Sequence, residues 1–335
     1  MPEIIMNVHD IFKLYEHELQ LVEVELTNVF KSDALAIPLV GRHVLGSGGK
    51  RLRPMYLLLS SSLSGYHGYK RVIFSSIIEA IHTASLLHDD VVDEADVRRG
   101  RPTSHSMWGN QVVILVGDFL YANALMFAVS SGSMEIMAAL SQAVARMTEG
   151  EILQLQKIAN PLVTEEEYLK IVSAKTGALI SAACRIGALL GGLGDDQVEA
   201  LTAFGLKTGI VFQMFDDILD YEANEDVLGK HQGKDLLEGK ITLPLIYLLQ
   251  SIGGQERDRV IGIIKSSGDD RPQDDTSNDL KEIIRLLRKY SIIEKTMDKA
   301  NHIMREAREE LLSFGDSPEK DALFAMADYA LQRNK

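Results

Sequence analysis

The chain has 335 residues, 46% of them hydrophobic, and a formal charge of −13. That balance supports a sizeable core, argues against a nucleic-acid partner, and requires any anionic ligand to be held by local cations or a metal. The single cysteine, Cys184, excludes an intrachain disulfide, fits a reducing compartment and reads as a small core residue.

In chain order, the amino terminus carries Glu3, Asp10, Glu16 and Glu18 without an uninterrupted apolar stretch. It therefore fits neither a secretory signal nor an acid-poor transit peptide, and a cytoplasmic location is expected. Apolar residues recur at helical spacing over about 9–30, 33–46, 52–64, 71–94, 111–130, 134–158, 165–190, 196–222, 241–250, 255–266, 278–288, 291–313 and 317–333. With eight prolines and few alternating runs, an all-β fold is disfavoured. No Pro-, Gly- or Ser-rich linker divides the first 250 residues, so a single domain over 1–335 is expected, with a flexible polar loop at 266–278. Residues 112–129 approach the length of a membrane span, but Gly117, Asp118 and Asn123 interrupt them. The pattern predicts a buried interior helix and no transmembrane segment.

The helix predicted over 71–94 is apolar almost all round through Val72, Ile73, Phe74, Ile77, Ile78, Ala80, Ile81, Ala84, Leu86 and Leu87. It ends in His88-Asp89-Asp90-Val91-Val92-Asp93, and Gly100 and Pro102 stop it. Asp89 and Asp93 fall one turn apart on one face, with Asp90 beside them. Crowded carboxylates repel and are costly to desolvate. A magnesium ion, which takes one or two protein carboxylates and completes its shell with water and phosphate oxygens, would relieve that cost. Arg98 and Arg99, just beyond, could hold phosphate directly. One such motif alone reads equally well as a solvated helix end.

The same i, i+1, i+4 spacing returns at Asp216, Asp217 and Asp220, again near the end of an apolar helix that contains Ile210, Val211, Phe212, Met214 and Phe215. The pair is far more specific than either half. Other acid pairs lack this context: Asp195-Asp196 reads as an N-cap and first turn, and Asp269-Asp270 and Asp274-Asp275 as loop residues around Pro272. Cations accompany the acids. Lys50 and Arg53 lie three residues apart at a helix start, where backbone N–H groups also favour an anion. Lys230, Lys234 and Lys240 follow the second acidic helix, and Lys175-Thr176-Gly177 interrupts an apolar one. In isolation the first group reads as a solvated basic turn and the second as surface lysines.

Taken in order from about Gly46 through Pro244, the segments GGKRLRP, HDDVVDEADVRRGRPTSH, GDFLYANAL, KTGAL, FQMFDDILDY and GKHQGKDLLEGKITLPL resemble the trans-type polyprenyl diphosphate synthases. The nearer likeness is to the bacterial octaprenyl diphosphate synthases. The resemblance implies an all-α, isoprenoid-synthase-type helical bundle around a central cavity. It implies head-to-tail condensation of isopentenyl diphosphate onto an allylic prenyl diphosphate, farnesyl or geranylgeranyl, by ionisation, condensation and proton elimination. Asp89, Asp93, Asp216 and Asp220 would hold magnesium that bridges the allylic diphosphate. Arg98, Lys175, Lys230 and Lys240 would hold that diphosphate; Lys50, Arg53, His82 and Arg99 would hold isopentenyl diphosphate. Thr176 and Gln213 would lie near the developing allylic cation, and the released diphosphate would take the proton.

His82 read alone is an interior histidine, but it stands seven residues before Asp89 and so points to about the same face. Ala84 and Ser85, five and four positions before Asp89, are small where short-chain members of the family carry bulky aromatics. From Arg71 to Asp89 the helix offers a depth of roughly 27 Å at 1.5 Å per residue. A long product follows as the expectation, C40 within a range of C35 to C50, with peripheral delivery to a membrane. Leu125, Met126 or Phe127 could form a deeper floor or simply pack the core. The family also implies a homodimer, to which helix 111–130 is a candidate contributor.

Three other readings remain open on the residues. A metal-dependent phosphohydrolase would use His88-Asp89 but leaves the second acidic motif unexplained. A terpene cyclase leaves Lys50 and Arg53 without a role. A non-catalytic subunit of a heteromeric synthase would be expected to lack one acidic motif.

Overall fold

The structure is a computed structural model, and it describes residues 7–98, 100–129, 132–222, 232–267 and 273–331. The expected all-α class is observed, with one short hairpin as the strand pairing among the described residues. The chain runs through α1 (Val8–Leu14), α2 (Glu16–Val29), α3 (Ala36–Gly46), α4 (Leu52–Leu63) and α5 (Lys70–Val92). Then come β1 (Val97–Arg98), β2 (Arg101–Pro102), α6 (Ser104–Trp108), α7 (Asn110–Val129), α8 (Met134–Leu155) and α9 (Glu165–Val172). A π-helical turn (Ser173–Gly177) leads into α10 (Ala178–Leu190) and α11 (Asp195–Glu222). After them follow α12 (Lys234–Leu237), α13 (Leu243–Ser251), α14 (Gly254–Lys265), α15 (Gln273–Lys289), α16 (Ile292–Glu310), a 3₁₀ turn (Leu311–Ser313) and α17 (Pro318–Leu331).

Backbone contacts divide the chain into two compact units, one of residues 1–145, 179–205 and 310–329, the other of 146–178, 206–309 and 330–335. In the first unit α5 packs against α2, α4 and α7. Its inner face contributes Ala80, Ala84 and Leu87 to an apolar cluster with Leu26, Val29, Phe30, Val40, Val113, Val116 and Leu120. Side chains that lose all contact with water in this way supply the main favourable term for holding α5 in place, about 25 cal/mol per Å² of apolar area. In the second unit α13 is buried along its whole apolar run from Leu243 to Leu249 and packs against α9 and α15.

Several boundaries differ from the sequence expectation. The helix expected over 9–30 breaks at Tyr15, whose hydroxyl donates to Ser62 Oγ at 3.0 Å in a buried position. The helix expected over 165–190 contains the π-turn. The loop expected at 266–278 is shorter: α15 begins at Gln273, and residues 268–272 lie outside the described residues. The pair at 274–275, expected in the loop, falls inside that helix. Helix α7 is not wholly interior. Val113, Val116, Gly117, Leu120, Ala124 and Ala128 are buried, but Ile114, Leu115, Met126 and Val129 are exposed. By length and composition alone α7 could cross a membrane; its polar Asn123 is instead satisfied within the fold, donating to the Val29 carbonyl at 2.6 Å.

Candidate active site

Helix α5 carries the first acidic motif in the first unit. Asp89 and Asp90 end the helix and Asp93 is its C-cap, with the Asp93 N–H donating to the Asp89 carbonyl at 2.8 Å. The last turn contains no basic residue. Its carboxylates therefore add to the negative end of the helix dipole, an arrangement that calls for a cation. His88 faces elsewhere. Its Nε2 donates to the Ile114 carbonyl at 3.1 Å, lies 3.5 Å from Asp118 Oδ1, and its ring centroid is 5.6 Å from that of Tyr121.

The basic turn at 48–54 is built around Arg51, a residue the motif reading passed over. Arg51 takes a left-handed conformation, φ 48°, and is the N-cap residue of α4. Its guanidinium grips the Glu23 carboxylate through Nε and Nη2 and donates to Glu79 Oε1 through Nη1 at 2.9 Å. Glu79 is buried within α5; burial raises its carboxyl above the ordinary value, and Arg51 and Arg53 oppose that rise. The one acid in the apolar run 72–87 was the available signal. Lys50 and Arg53 flank this anchored residue. Lys50 Nζ donates to the Tyr329 hydroxyl at 2.5 Å and stands 4.9 Å from the ring centroid, so α17 reaches the same turn.

The hairpin beyond α5 presents Arg98 on β1; its side chain and the whole of Arg99 lie outside the described residues. Three hydrogen bonds pin the hairpin: Arg101 Nη1 to the Gly46 carbonyl at 2.9 Å, His43 Nε2 to the Pro102 carbonyl at 2.9 Å, and the Thr103 N–H to the Asp96 carbonyl at 2.9 Å. His82 is half-buried, and its carbonyl accepts from Ser85 Oγ at 2.8 Å. Ala84 is fully buried in the apolar cluster, Ser85 is half-buried, and Met126 is 60% exposed while Phe127 packs on the cluster.

The second acidic motif, in the second unit, occupies the last turns of α11, again without a basic residue in the last turn. Thr176 reaches α11 because the π-turn crosses it at glycines: a Cβ on Gly209 would stand 2.7 Å from Gly177 Cα, and one on Gly177 would stand 3.1 Å from the Leu206 carbonyl oxygen. π-turns inside α-helices commonly mark functional positions. The close crossing lets the Thr176 hydroxyl donate to Gln213 Oε1 at 2.8 Å. Gln213 Nε2 donates onward to Asp217 Oδ1 at 2.9 Å, and the buried Tyr168 hydroxyl donates to Asp217 Oδ2 at 2.6 Å.

Burial pushes the Asp217 carboxyl up to about 7; hydrogen bonds from Tyr168 and Gln213 oppose this, and Asp216 and Asp220 add to it. Asp235, unremarked in the sequence, is held well above the carboxylate range by burial and by Asp217, Asp220 and Asp216, against the pull of Lys240. Asp220 accepts from the backbone N–H groups of Lys234 (Oδ1, 3.1 Å) and Asp235 (Oδ2, 3.0 Å), which start α12.

The expected diphosphate lysines already hold oxygen. Lys175 Nζ lies 2.5 Å from Glu151 Oε2 and donates to Gln154 Oε1 at 2.8 Å; Lys240 Nζ lies 2.8 Å from Glu238 Oε2. Lys230 lies outside the described residues. The donor set suits a hard divalent cation. Among the described residues no three His, Cys, Asp or Glu side chains form a closed metal cage, and magnesium needs none, since substrate phosphates and water complete its shell.

Residues 36–285 match the sequence profile of the polyprenyl synthetase family. The chain is 36% identical to the octaprenyl diphosphate synthase of Escherichia coli over 330 residues, 98% of this chain and 100% of that one. Its fold matches the crystal structure of a decaprenyl diphosphate synthase from Rhodobacter capsulatus with a TM-score of 0.91 and 36% identity, covering 98% of this chain and 99% of the other. It also matches a polyprenyl synthase from Caulobacter crescentus CB15, crystallised with calcium and isoprenyl diphosphate, with a TM-score of 0.90 and 33% identity over the full length of both chains. With two acid-terminated helices, a pinned basic turn and agreement over nearly its entire length, the chain belongs to the polyprenyl synthetase family and is a prenyltransferase.

Proposed function

We propose that this protein condenses isopentenyl diphosphate head-to-tail onto an allylic diphosphate, farnesyl or geranylgeranyl, and makes a long all-trans polyprenyl diphosphate, C40 within a range of C35 to C50. The observation that carries the reading is the repeated acid-terminated helix: α5 and α11 both end in carboxylates at the negative end of the dipole, with no base in the last turn. Asp89, Asp93, Asp216 and Asp220 hold magnesium, which when bound supplies the positive charge that stabilises the departing diphosphate.

The chain's own groups do the rest. Lys175 and Lys240, with Arg98 and Lys230, hold the allylic diphosphate, and their present carboxylate and amide partners keep the two described lysines in place for it. Lys50, Arg53, His82 and Arg99 hold isopentenyl diphosphate, and Arg51 fixes the turn that carries the first two. The oxygens of Thr176 and Gln213 stabilise the allylic cation as the C–O bond breaks. Attack by the isopentenyl double bond and loss of a proton to the released diphosphate regenerate an allylic diphosphate one unit longer. Apolar walls exclude the water that would quench the cation.

The exposed apolar residues of α7, Ile114, Leu115, Met126 and Val129, support a homodimer of a cytoplasmic enzyme. The test incubates the purified chain with magnesium, labelled isopentenyl diphosphate and farnesyl diphosphate, with and without a chelator, and reads product length by mass spectrometry. Chelator-sensitive elongation to C40 is expected. Absence of elongation by the chain alone overturns the reading, and elution at the monomer mass overturns the dimer.

A further inference from the structure

From spacing alone, Asp217 is the middle acid of a metal-binding motif. In the structure it is 3% exposed and both its oxygens are engaged, Oδ2 by Tyr168 and Oδ1 by Gln213. That arrangement has a direction. Tyr168 and Gln213 both donate to Asp217, one to each oxygen, so Asp217 takes the amide N–H₂ of Gln213 and turns the amide oxygen to the other side. The amide oxygen in turn accepts the Thr176 proton. The Thr176 hydroxyl has one proton and two lone pairs; with the proton committed to Gln213, only lone pairs remain to meet a ligand.

We propose that Tyr168 and Asp217 are positioning residues that fix the polarity of the Gln213 amide and the Thr176 hydroxyl, so that Thr176 presents oxygen lone pairs, and not its proton, to the allylic carbon as it ionises. This rests on the prenyltransfer reading above. An oxygen dipole set in advance stabilises positive charge without reorganising during the reaction, whereas a hydroxyl with its proton outward opposes it. Tyr168 keeps the carboxylate from turning and closes the far end of the chain. Metal binding remains with Asp89, Asp93, Asp216 and Asp220.

Asp217→Asn tests the direction. Tyr168 still donates and so selects the Asn oxygen, which leaves the Asn N–H₂ facing residue 213. Gln213 must then turn its oxygen towards that group, and Thr176 must accept from Gln213 and release its proton outward. The turnover rate is expected to fall about 100-fold, the order seen when one preorganised dipole is lost, with the KM of both substrates and the magnesium half-saturation unchanged. Adding Gln213→Glu restores an acceptor on both sides, so the Asp217→Asn/Gln213→Glu double variant should recover about tenfold or more of that loss, a non-additivity that contact residues can show. Tyr168→Phe, which removes one hydroxyl and little volume, should lower turnover about three- to tenfold with unchanged KM, as expected for one member of a polar network.

Melting temperatures establish that each variant is folded; if Asp217→Asn does not fold, Tyr168→Phe decides. A magnesium requirement raised about tenfold in Asp217→Asn, equivalent to about 1.4 kcal/mol of metal affinity, would make Asp217 a ligand and overturn the proposal. So would a double variant no faster than the single one, or a Tyr168→Phe enzyme with wild-type turnover. Failure of the unaltered protein to elongate any allylic diphosphate would instead remove the prenyltransfer reading itself.

Discussion

Gly117 and His88 are fitted to each other: a Cβ at position 117 would overlap the His88 imidazole, whose Nε2 donates to the Ile114 carbonyl one turn earlier in α7. The contact joins α7 to the residue immediately before Asp89. Gly117→Ala is therefore expected to destabilise the protein by about 1–3 kcal/mol, the usual cost of overpacking, and to lower activity by moving the acidic turn. Truncating the partner should relieve the overlap. The Gly117→Ala/His88→Ala double variant is expected to melt at a higher temperature than the sum of the single effects allows, which thermal unfolding of the four proteins checks.

Asp216 and Asp220 should respond differently to the same substitution. Asp220 accepts two backbone N–H groups at the start of α12, and an asparagine there retains only one acceptor oxygen. Asp220→Asn should therefore lose about 0.5–2 kcal/mol of stability, the range for a lost cap, together with part of the activity. Asp216→Asn should raise the magnesium needed for half-maximal rate. Magnesium titrations and melting curves on both variants separate the two roles.

The acidic helices were legible in the sequence because two long apolar runs each ended in the same triad of acids, and nothing but position was needed to see them. The supporting groups were not. Arg51 stands between two cations of the motif and looks like a third, and only its left-handed backbone and the carboxylates of Glu23 and Glu79, 28 residues away on either side, reveal an anchor. Tyr168 and Asp217 meet across 49 positions and Lys50 and Tyr329 across 279. Such pairings depend on which helix faces meet, and a local pattern of hydrophobicity contains no information about that. The hairpin at 97–102 was missed for a different reason. Two residues per strand are too few to show alternation, and Gly100 and Pro102 read simply as the end of a helix.

Glu165 supplies a pH-dependent test. Burial would raise its carboxyl, but hydrogen bonds from Lys299 (2.7 Å) and Tyr247 (3.0 Å) outweigh that and hold it below the ordinary value of 4.5. A group whose folded value is depressed stabilises the fold above its unfolded value and loses that contribution as pH falls through the folded one. Glu165→Gln is thus expected to be less stable than the parent at neutral pH. The gap should hold down to pH 4.5, narrow below it, and close in stronger acid. Denaturant melts at a series of pH values measure the gap directly; a gap independent of pH would mean that the ion pair with Lys299 contributes nothing.

Chain length should be more sensitive to Ser85 than the bare spacing suggests. Ala84 has no exposed surface and sits among Leu26, Phe30, Val40, Val116 and Leu120, so a phenylalanine there must displace packed side chains. Ala84→Phe is expected to cost about 1–3 kcal/mol or more through overpacking, and any change in its product is confounded with damage to α5. Ser85 is half-buried, and its hydroxyl returns to the His82 carbonyl of its own helix. Ser85→Phe can therefore project its ring about 6 Å along the helix from Asp89, four residues at 1.5 Å each, without emptying or crowding the cluster. It should retain a near-parental melting temperature and stop elongation at a shorter polyprenyl diphosphate, read by mass spectrometry of the products. An unchanged product from a stable Ser85→Phe enzyme would place the hydrocarbon along a different face of α5, leaving Ala84 and Ser85 as packing residues.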